Sequence, residues 1–373
     1  MNLSSRAKGF IVLLILVFVV IVAAFIKDDA GVIGSNDMTI YGAIGGGKEN
    51  LLADSEFNKI LSEKYNIKVV NDTWSNGKMV KDSVVRSNGG NYDFIFFSDQ
   101  RFYDYYKTSP KEDEAKRETV LSGSLTLNTP IVIYSWDTVV EALIKENIVT
   151  LKDNVYYITD MNKLIKYILE GKKWSDIGLN SLYGTINIDS TDPVTSSPGA
   201  TYYGLLLSIM SGGTITDVNI DENLPKLKEF YEKSGYMNNT PADLFDMYLK
   251  TGVGAEPMIV DYEKSIIDFA NSNSDGYNQI KDKIRILYPV PTIWNSHCIA
   301  TLTENGNIYY KAFNNKKIQQ LAWSKYGFRT GITGGSYDVS TVSVGGIPQS
   351  IDTTVSGLRM NVYNKLINYL GGK

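Results

Sequence analysis

Asp93-Phe94-Ile95-Phe96-Phe97-Ser98 is the stretch that decides the fold of this chain. Its four central residues are all large and apolar, so the strand that they predict is covered on both faces. Strands of this kind are typical of parallel sheets, where helices pack against each face. Ser98 begins a polar turn, which places a hydroxyl group where the buried strand ends.

Strands and helices alternate on either side of this segment. Upstream, Met38–Tyr41 and Ile67–Val70 predict two strands, and a helix from about Lys48 to Lys64 separates them. This alternation predicts βαβ winding and an α/β fold built on mostly parallel sheets. Further strands are predicted at 131–134, 185–188, 258–260, 284–288 and 298–302, and helices at 161–170, 224–233 and 318–323.

Length and charge limit the class of protein. A chain of 373 residues with 43% hydrophobic and 21% charged residues predicts about two globular domains. The net charge is -4 and the isoelectric point is near 5.3. Because no basic stripe is present to contact phosphates, we expect no nucleic-acid partner.

The N-terminal segment predicts contact with a membrane. Phe10–Ile26 is an unbroken apolar run that follows Arg6 and Lys8, an arrangement that places the rest of the chain outside the cytoplasm. We expect an uncleaved signal anchor, and a cleaved signal peptide is the alternative. The sole cysteine, Cys298, rules out an intramolecular disulfide.

Thr191–Gly204 predicts a helix start that can bind an anion. Ser197 is the expected N-cap and Pro198 the first helical residue, so unpaired backbone N–H groups would lie beside the hydroxyls of Ser196, Ser197 and Thr201. Helix N-termini of this kind bind anions. The alternative is an ordinary capped helix.

From about Met38 to the C-terminus the chain resembles the type II extracellular solute-binding proteins of ABC importers, most closely the sulfate- or oxyanion-binding and iron-binding members. Four segments carry the resemblance: Thr191–Gly204, Val260–Ser265, Tyr288–Thr292 with Ser296-His297, and Gln319-Gln320 with Lys325–Thr330. Two departures weaken the likeness to the sulfate-binding members, because Thr201 stands where they carry an arginine and Pro198 where a glycine is usual.

The resemblance implies two α/β lobes joined by two crossing strands, with a ligand held in the cleft. Residues 1–37 would be the membrane segment and linker, 38–129 plus 299–373 lobe one, and 130–298 lobe two. It also implies a monomer that presents its ligand to an ABC permease at the outer face of the membrane. No cofactor or metal is expected.

The site prediction combines this resemblance with the chemistry of the loops. Glycines and hydroxyl groups that follow strands can bind a ligand through neutral donors, and Tyr262 can close over it. The predicted ligand-binding residues are Gly45, Gly46, Gly47, Ser98, Trp136, Ser196, Ser197, Gly199, Thr201 and Tyr262. Tight turns at the glycines and a packing role for Trp136 are the alternatives.

Two charged residues qualify the ligand prediction. Arg101 either neutralises an acidic ligand or pairs with Asp99 or Asp104 on the surface. Glu263 favours a ligand with a cationic part, because an unpaired carboxylate repels a bare anion. We nevertheless expect a small anion or organic acid as the ligand. A ligand sensor of the same fold, tethered to the membrane and signalling to a membrane partner, is the alternative function.

Catalytic chemistry has little support in the sequence. His297 is the only histidine, and the adjacent Cys298 would point to the opposite side of a strand. No Gly-x-Ser-x-Gly turn is present to expose a nucleophilic serine, and a zinc site lacks ligands. We therefore expect a binding protein rather than an enzyme.

A discontinuous lobe one gives a testable prediction. Truncation at residue 129 or at residue 298 is expected to unfold both lobes, because each cut removes strands from the shared sheet. Circular dichroism and limited proteolysis of the two truncated chains measure this. A protease-resistant lobe in either of them would contradict the predicted division.

Overall fold

The computed structural model describes residues 37–81, 86, 89–108, 119–235, 237, 240–333, 335 and 337–372. The predicted anchor at Phe10–Ile26 lies outside the described residues, as does all of the preceding N-terminal segment. Within the described ranges, no helix combines the length and the apolar character that a membrane span requires.

Helices and strands alternate along the described chain. The strands are β1 Met38–Ile44, β2 Ile67–Thr73, β3 Phe94–Phe97, β4 Ser122–Trp136, β5 Val149–Lys152, β6 Val155–Ile158, β7 Met258–Tyr262, β8 Ile284–Pro289, β9 Thr292–Thr301, β10 Arg329–Thr330 and β11 Thr354–Val355. The α-helices are α1 Glu49–Ala53, α2 Ser55–Tyr65, α3 Asn76–Lys81, α4 Gln100–Thr108, α5 Asp137–Lys145, α6 Met161–Leu169, α7 Ser197–Met210, α8 Asp217–Lys233, α9 Pro241–Thr251, α10 Glu263–Ser272, α11 Ser274–Ile280, α12 Glu304–Ala312, α13 Lys316–Ser324 and α14 Met360–Leu370.

The βαβ winding predicted around the buried strand is confirmed. β1 pairs in parallel with both β2 and β3, in the order β2-β1-β3. All four residues of β3 are buried, because helices cover the sheet on both faces. β3 then pairs with β9, which runs antiparallel to it.

β4 and β9 connect two halves of the molecule. The first part of β4 pairs antiparallel with β9, from Ser122 opposite Thr301 to Pro130 opposite Trp294. From Ile131 onward β4 pairs with β7 and β8 instead, and β6 and β5 extend that sheet. We call the half that holds β1, β2 and β3 lobe one, and the half that holds β5 to β8 lobe two. The predicted two-lobed α/β fold is therefore confirmed.

The hydrophobic cores follow the same division. Lobe one has one apolar cluster on each face of its sheet, and lobe two has a single larger cluster. The C-terminal residues Leu358, Leu366 and Leu370 are buried in the larger cluster. Their packing favours assigning the chain from Val339 onward to lobe two, whereas the predicted division gave all of 299–373 to lobe one. The lobe boundaries remain a prediction.

Two predicted elements differ in detail. The helix expected from Lys48 to Lys64 is two helices, because Asp54 has an extended backbone and caps the second one. Its Oδ1 accepts hydrogen bonds from the N–H groups of Glu56 and Phe57 at 2.8 and 3.0 Å. The strand expected at 185–188 is replaced by isolated bridges at Thr185 and Asp189.

A buried ion pair joins the lobes. Arg329, on the strand paired with β4, donates from Nε and Nη2 to the two carboxylate oxygens of Glu263 at 2.6 and 2.7 Å. Neither side chain is exposed by more than 1%. The Tyr288 hydroxyl donates to Glu263 at 2.6 Å, and the carbonyl oxygen of Pro348 accepts from Arg329 at 2.8 Å. The pair is thus fully hydrogen-bonded at the junction of the lobes.

Removing one member of this pair should destabilise the folded protein. Arg329→Met leaves the Glu263 carboxylate buried without its cation, so we expect the free energy of unfolding to fall by about 3–5 kcal/mol. Urea denaturation measures this. Lys59→Met is the matched control, because Lys59 pairs with Glu63 on the exposed surface of α2 and should change stability by less than about 1 kcal/mol. Equal effects of the two substitutions would contradict the prediction.

Candidate functional site

The carboxyl ends of β1 and β3 lie side by side in lobe one. The chain leaves β1 for α1 and α2, whose Leu51 and Phe57 pack on one face of the sheet. It leaves β3 for α4, whose Phe102 and Tyr106 pack on the opposite face. Adjacent parallel strands whose connections diverge in this way leave a crevice that open α/β sheets use to bind ligands.

The predicted residues Gly45 and Ser98 meet in this crevice. A Cβ atom at Gly45 would lie 2.7 Å from the Ser98 hydroxyl, so only glycine fits there. Asn76 donates to the Ser98 hydroxyl at 2.8 Å and accepts from the Ser98 N–H at 3.1 Å. The O–H of Ser98 therefore remains a donor for a ligand.

The other two glycines of the triplet are exposed on the outer side of the turn. Gly47 has a φ of 89°, and its N–H donates to the Glu49 carboxylate at 2.7 Å. This contact matches the tight-turn alternative for Gly47. Gly46 remains a predicted ligand-binding residue, because its contacts favour neither ligand binding nor the tight-turn alternative.

Lys48 is a cation of the site that the sequence analysis missed. Although it follows the glycine triplet directly, its side chain is only 1% exposed. Its Nζ donates to the carbonyl oxygen of Gly45 and lies 4.7 Å from the centre of the Phe96 ring. Burial lowers the pKa of Lys48 to about 7. The adjacent glycines were the only sequence signal for this residue.

Arg101 connects the crevice to lobe two. It forms a bidentate ion pair with Asp99, and its Nη2 donates to the Thr201 hydroxyl at 3.2 Å. A pair with Asp99 or Asp104 on the surface was one of the two predicted alternatives for Arg101, but the Arg101 side chain is only 6% exposed. Its Nη1 is buried and has no hydrogen-bond partner among the described residues. Both N–H groups of Nη1 are thus unused.

The helix start on lobe two differs by one residue from the prediction. Ser196 is the N-cap of α7, and Ser197 is its first residue. The Ser196 hydroxyl donates to the Thr191 hydroxyl at 2.9 Å instead of capping the helix. No side chain caps the first turn of α7 among the residues described. Pro198 has no N–H and the Ala200 N–H donates to the Ser196 carbonyl, so the N–H groups of Ser197 and Gly199 are the candidate anion donors.

Gly199 has a packing role in this turn. A Cβ atom there would lie 2.2 Å from the carbonyl oxygen of Thr191. The glycine lets α7 begin directly against the preceding segment. It shapes the turn, and its contacts do not require a ligand.

Tyr262 and Trp136 occupy different surroundings. Tyr262 is the N-cap of α10, and its pKa is raised well above the usual value by burial and then by the nearby charge of Asp99. Trp136 is buried in lobe two, where its Nε1 donates to the Glu256 carbonyl at 2.9 Å and its ring packs 4.7 Å from Tyr248. Its position matches the packing alternative, so we leave Trp136 out of the proposed site.

Glu263 does not face a ligand. An unpaired carboxylate at this position would favour a ligand with a cationic part. In the structure both of its oxygens bind Arg329, and the side chain is fully buried. Glu263 therefore gives no reason to expect a cationic part in the ligand.

His297 and Cys298 lie on opposite faces of β9. The His297 ring packs against Phe96 and Phe328, whereas Cys298 belongs to the apolar cluster on the other face. Burial lowers the pKa of His297 well below its usual value and raises the pKa of Cys298. The two side chains cannot act as a base and a nucleophile together.

An interlobe cavity of about 460 Å³ lies beside Arg101 and Thr201, a volume in the range of small-molecule sites. Strands β4 and β9 form its floor, and the segment 354–358 forms one wall. Its polar lining residues are Asp99, Gln100, Arg101, Asp104, Asn128, Thr201, Asn295, Ser296, Thr354 and Ser356. A larger cavity of about 610 Å³ at the edge of lobe two contains none of the predicted site residues.

The close approach at Gly199 gives a testable prediction. Gly199→Ala should lower the free energy of unfolding by about 1–3 kcal/mol, because the added methyl group meets backbone atoms that cannot move independently. Gly254→Ala is the matched control, since a Cβ atom there has no neighbour within 4 Å. Thermal denaturation compares the two. An unchanged melting temperature for Gly199→Ala would contradict this packing role.

Comparisons with known proteins agree on the fold. No family model matches the chain, and no curated protein matches it either. Among solved structures, a Bordetella parapertussis protein described as an extracellular solute-binding protein is 12% identical, with a TM-score of 0.58 over 91% of this chain and 98% of that one. The ferric binding protein from Campylobacter jejuni is 14% identical, with a TM-score of 0.56 over 89% and 97%.

A third similar structure is described as a two-component system protein that mediates signal transduction. It is 13% identical, with a TM-score of 0.53 over 88% of this chain and 99% of that one. At these identities the likeness concerns the fold. The chain therefore has the two-lobed fold of the type II extracellular solute-binding proteins.

Proposed function

We propose that this protein captures a small anion or organic acid between its lobes, outside the cytoplasm, and presents it to an ABC permease. The observation that carries the proposal is the buried Arg101, which contacts Thr201 of lobe two and keeps Nη1 unpaired beside the interlobe cavity. A guanidinium with an unused donor is suited to a carboxylate or another oxyanion.

The remaining groups of the site favour the same ligand class. The Ser98 hydroxyl and the uncapped amides of α7 are donors, and an acceptor-rich ligand would satisfy them. Glu263 is neutralised by Arg329, and Asp99 by Arg101. Neither acidic group therefore repels an anion strongly.

Lobe closure would retain the ligand. In this structure α10 of lobe two already contacts lobe one, because Asn50 donates to Asp268 at 3.3 Å and Asn271 donates to the carbonyl oxygen of Ser324 at 2.9 Å. A ligand that contacts both lobes binds the closed form more tightly and shifts the population towards it. The proposal involves no covalent step, and it keeps the expected monomer and the membrane tether.

A membrane-tethered sensor is the second candidate function. The similarity to a solved structure described as a two-component system protein supports the sensor as a candidate. The two functions share the ligand site and differ in the membrane partner. Cross-linking in intact cells, followed by mass spectrometry, should recover an ABC permease under the first proposal and a signalling protein under the second.

Ligand binding should appear as thermal stabilisation. We expect at least one member of a panel of oxyanions, organic acids and amino acids to raise the melting temperature of the purified protein. A ligand at 100 times its Kd adds about 2.7 kcal/mol to the free energy of unfolding. If only sugars or polyamines are active, the anion class is wrong; if every solute is silent, the solute-binding proposal fails.

The contribution of Arg101 can be tested separately. The double variant Asp99→Asn with Arg101→Gln removes both charges, so no unpaired charge is left buried and the fold should persist. We expect the Kd of this double variant for the active anion to rise by about 10- to 100-fold. Arg285→Met, on the outer side of lobe two, is the control and should bind normally. Unchanged affinity in the double variant would exclude Arg101 from the site.

A further inference from the structure

Lys48 is a buried cation that makes no direct ion pair in the described structure. Its side chain is only 1% exposed, and the Gly45 carbonyl is its hydrogen-bond acceptor. The ion pairs among the described residues do not include it. An ammonium group has three donors, so this environment leaves donors of Lys48 unused.

Charged groups of both signs act on Lys48. The Glu49 carboxylate acts most strongly, as an opposite charge, and Lys264, at the start of α10, acts as a like charge. Glu49 is exposed and accepts from the Gly47 N–H. The titratable groups of β9 near Lys48 are His297, on the same side of the sheet, and Cys298, on its opposite face. Both are buried, and each is neutral near pH 7 because burial disfavours its charged form.

His297 supplies a second unsatisfied polar atom. Its Nε2 lies 3.1 Å from the Asn295 amide nitrogen, so the neutral ring carries its proton on Nδ1. This Nδ1 is buried and has no hydrogen-bond partner among the described residues. The His297 side chain is only 2% exposed. A buried donor and a buried cation near each other call for an acceptor that carries negative charge.

Lys48 also lies beside the predicted glycine turn and close to lobe two. It follows β1 at the crevice between the diverging connections of β1 and β3. Lys264 approaches from lobe two, where the Lys264 N–H donates to the Thr129 hydroxyl at 3.3 Å. An anion between these two lysines would therefore contact both lobes.

We propose that Lys48 recognises the charge of the ligand, with an anionic group of the ligand lying against its buried amine. This inference rests on the proposed function and specifies its ligand as an anion whose affinity depends on pH. Lys264 and the Nδ1–H of His297 are the neighbouring groups of the same subsite.

The direction of the pH dependence follows from linkage. Without ligand the pKa of Lys48 is about 7, so the amine is protonated below this pH and mostly neutral above it. A bound anion favours the charged form and raises the pKa. Binding above about pH 7 therefore takes up a proton, and the affinity should fall by up to about tenfold for each pH unit.

The lowered pKa of Lys48 also makes the stability of the ligand-free protein depend on pH. The pKa of Lys48 is about 7 in the folded chain and 10.5 for a free lysine, so the unfolded chain binds more protons between these values. The contribution of Lys48 to the free energy of unfolding should thus rise with pH across this window. This effect needs no ligand and tests the burial of Lys48 on its own.

The experiment uses sulfate and succinate as probes, because neither titrates above about pH 6. Isothermal titration calorimetry of the full chain between about pH 6 and pH 9, in buffers of different ionisation enthalpy, measures both affinity and proton uptake. We expect tightest binding at the acidic end and uptake of up to one proton at the basic end. Lys48→Met should weaken binding at about pH 6 by about 10- to 100-fold and remove the proton uptake.

Two controls separate the outcomes. Lys59→Met removes an exposed lysine of α2 and should leave affinity and proton uptake unchanged. The melting temperature of ligand-free Lys48→Met, measured over the same pH range, shows whether the variant is folded. It should lack the increase with pH that Lys48 contributes in the wild type.

Anion binding that is unchanged in Lys48→Met, or that shows no proton uptake in the wild type, would overturn the inference and leave the proposed function standing. If a neutral solute binds while sulfate and succinate are silent, the inference is overturned and the anionic ligand class of the proposed function is wrong as well, although solute binding itself stands. If no solute binds at all, the proposed function fails as well.

Discussion

The buried pair of Glu263 and Arg329 fixes the relation between the parts of this molecule. It lies at the first residue of α10 in lobe two and on the strand that pairs with β4 beside lobe one. Because two desolvated charges need complete hydrogen bonding, the pair also binds Tyr288 and the carbonyl oxygen of Pro348. The C-terminal segment is thereby held against both lobes.

This constraint reaches the ligand site through α10. With Glu263 held by Arg329, the next residue, Lys264, is placed beside lobe one, where Gly327 allows close approach: a Cβ atom there would lie 2.7 Å from the Lys264 Cα. The acid that would have repelled an anion is thus neutralised, and a cation takes its place near Lys48. One ion pair thus links the contact between the lobes to the position of Lys264.

The fold was predictable because its signals are local. Four apolar residues in β3 require cover on both faces, and a glycine turn followed by an amphipathic helix requires βαβ winding. The site was predictable only in part, since burial depends on distant segments. Nothing near Lys48 in the sequence shows that Phe96 and β9 will enclose it, and Trp136 packs on Tyr248 from a helix more than 100 positions later.

The burial of Lys48 also has a consequence for lobe motion. Opening the lobes would separate Lys264 from Lys48 and let water reach the ammonium, whereas closing them without a ligand buries like charges together. Burial of an unpaired charge costs several kcal/mol, so the empty protein favours either the open form or a neutral Lys48. An anion removes this cost only when both lobes contact it. In such a site the charge of the ligand, rather than its size alone, would decide whether the closed form is populated.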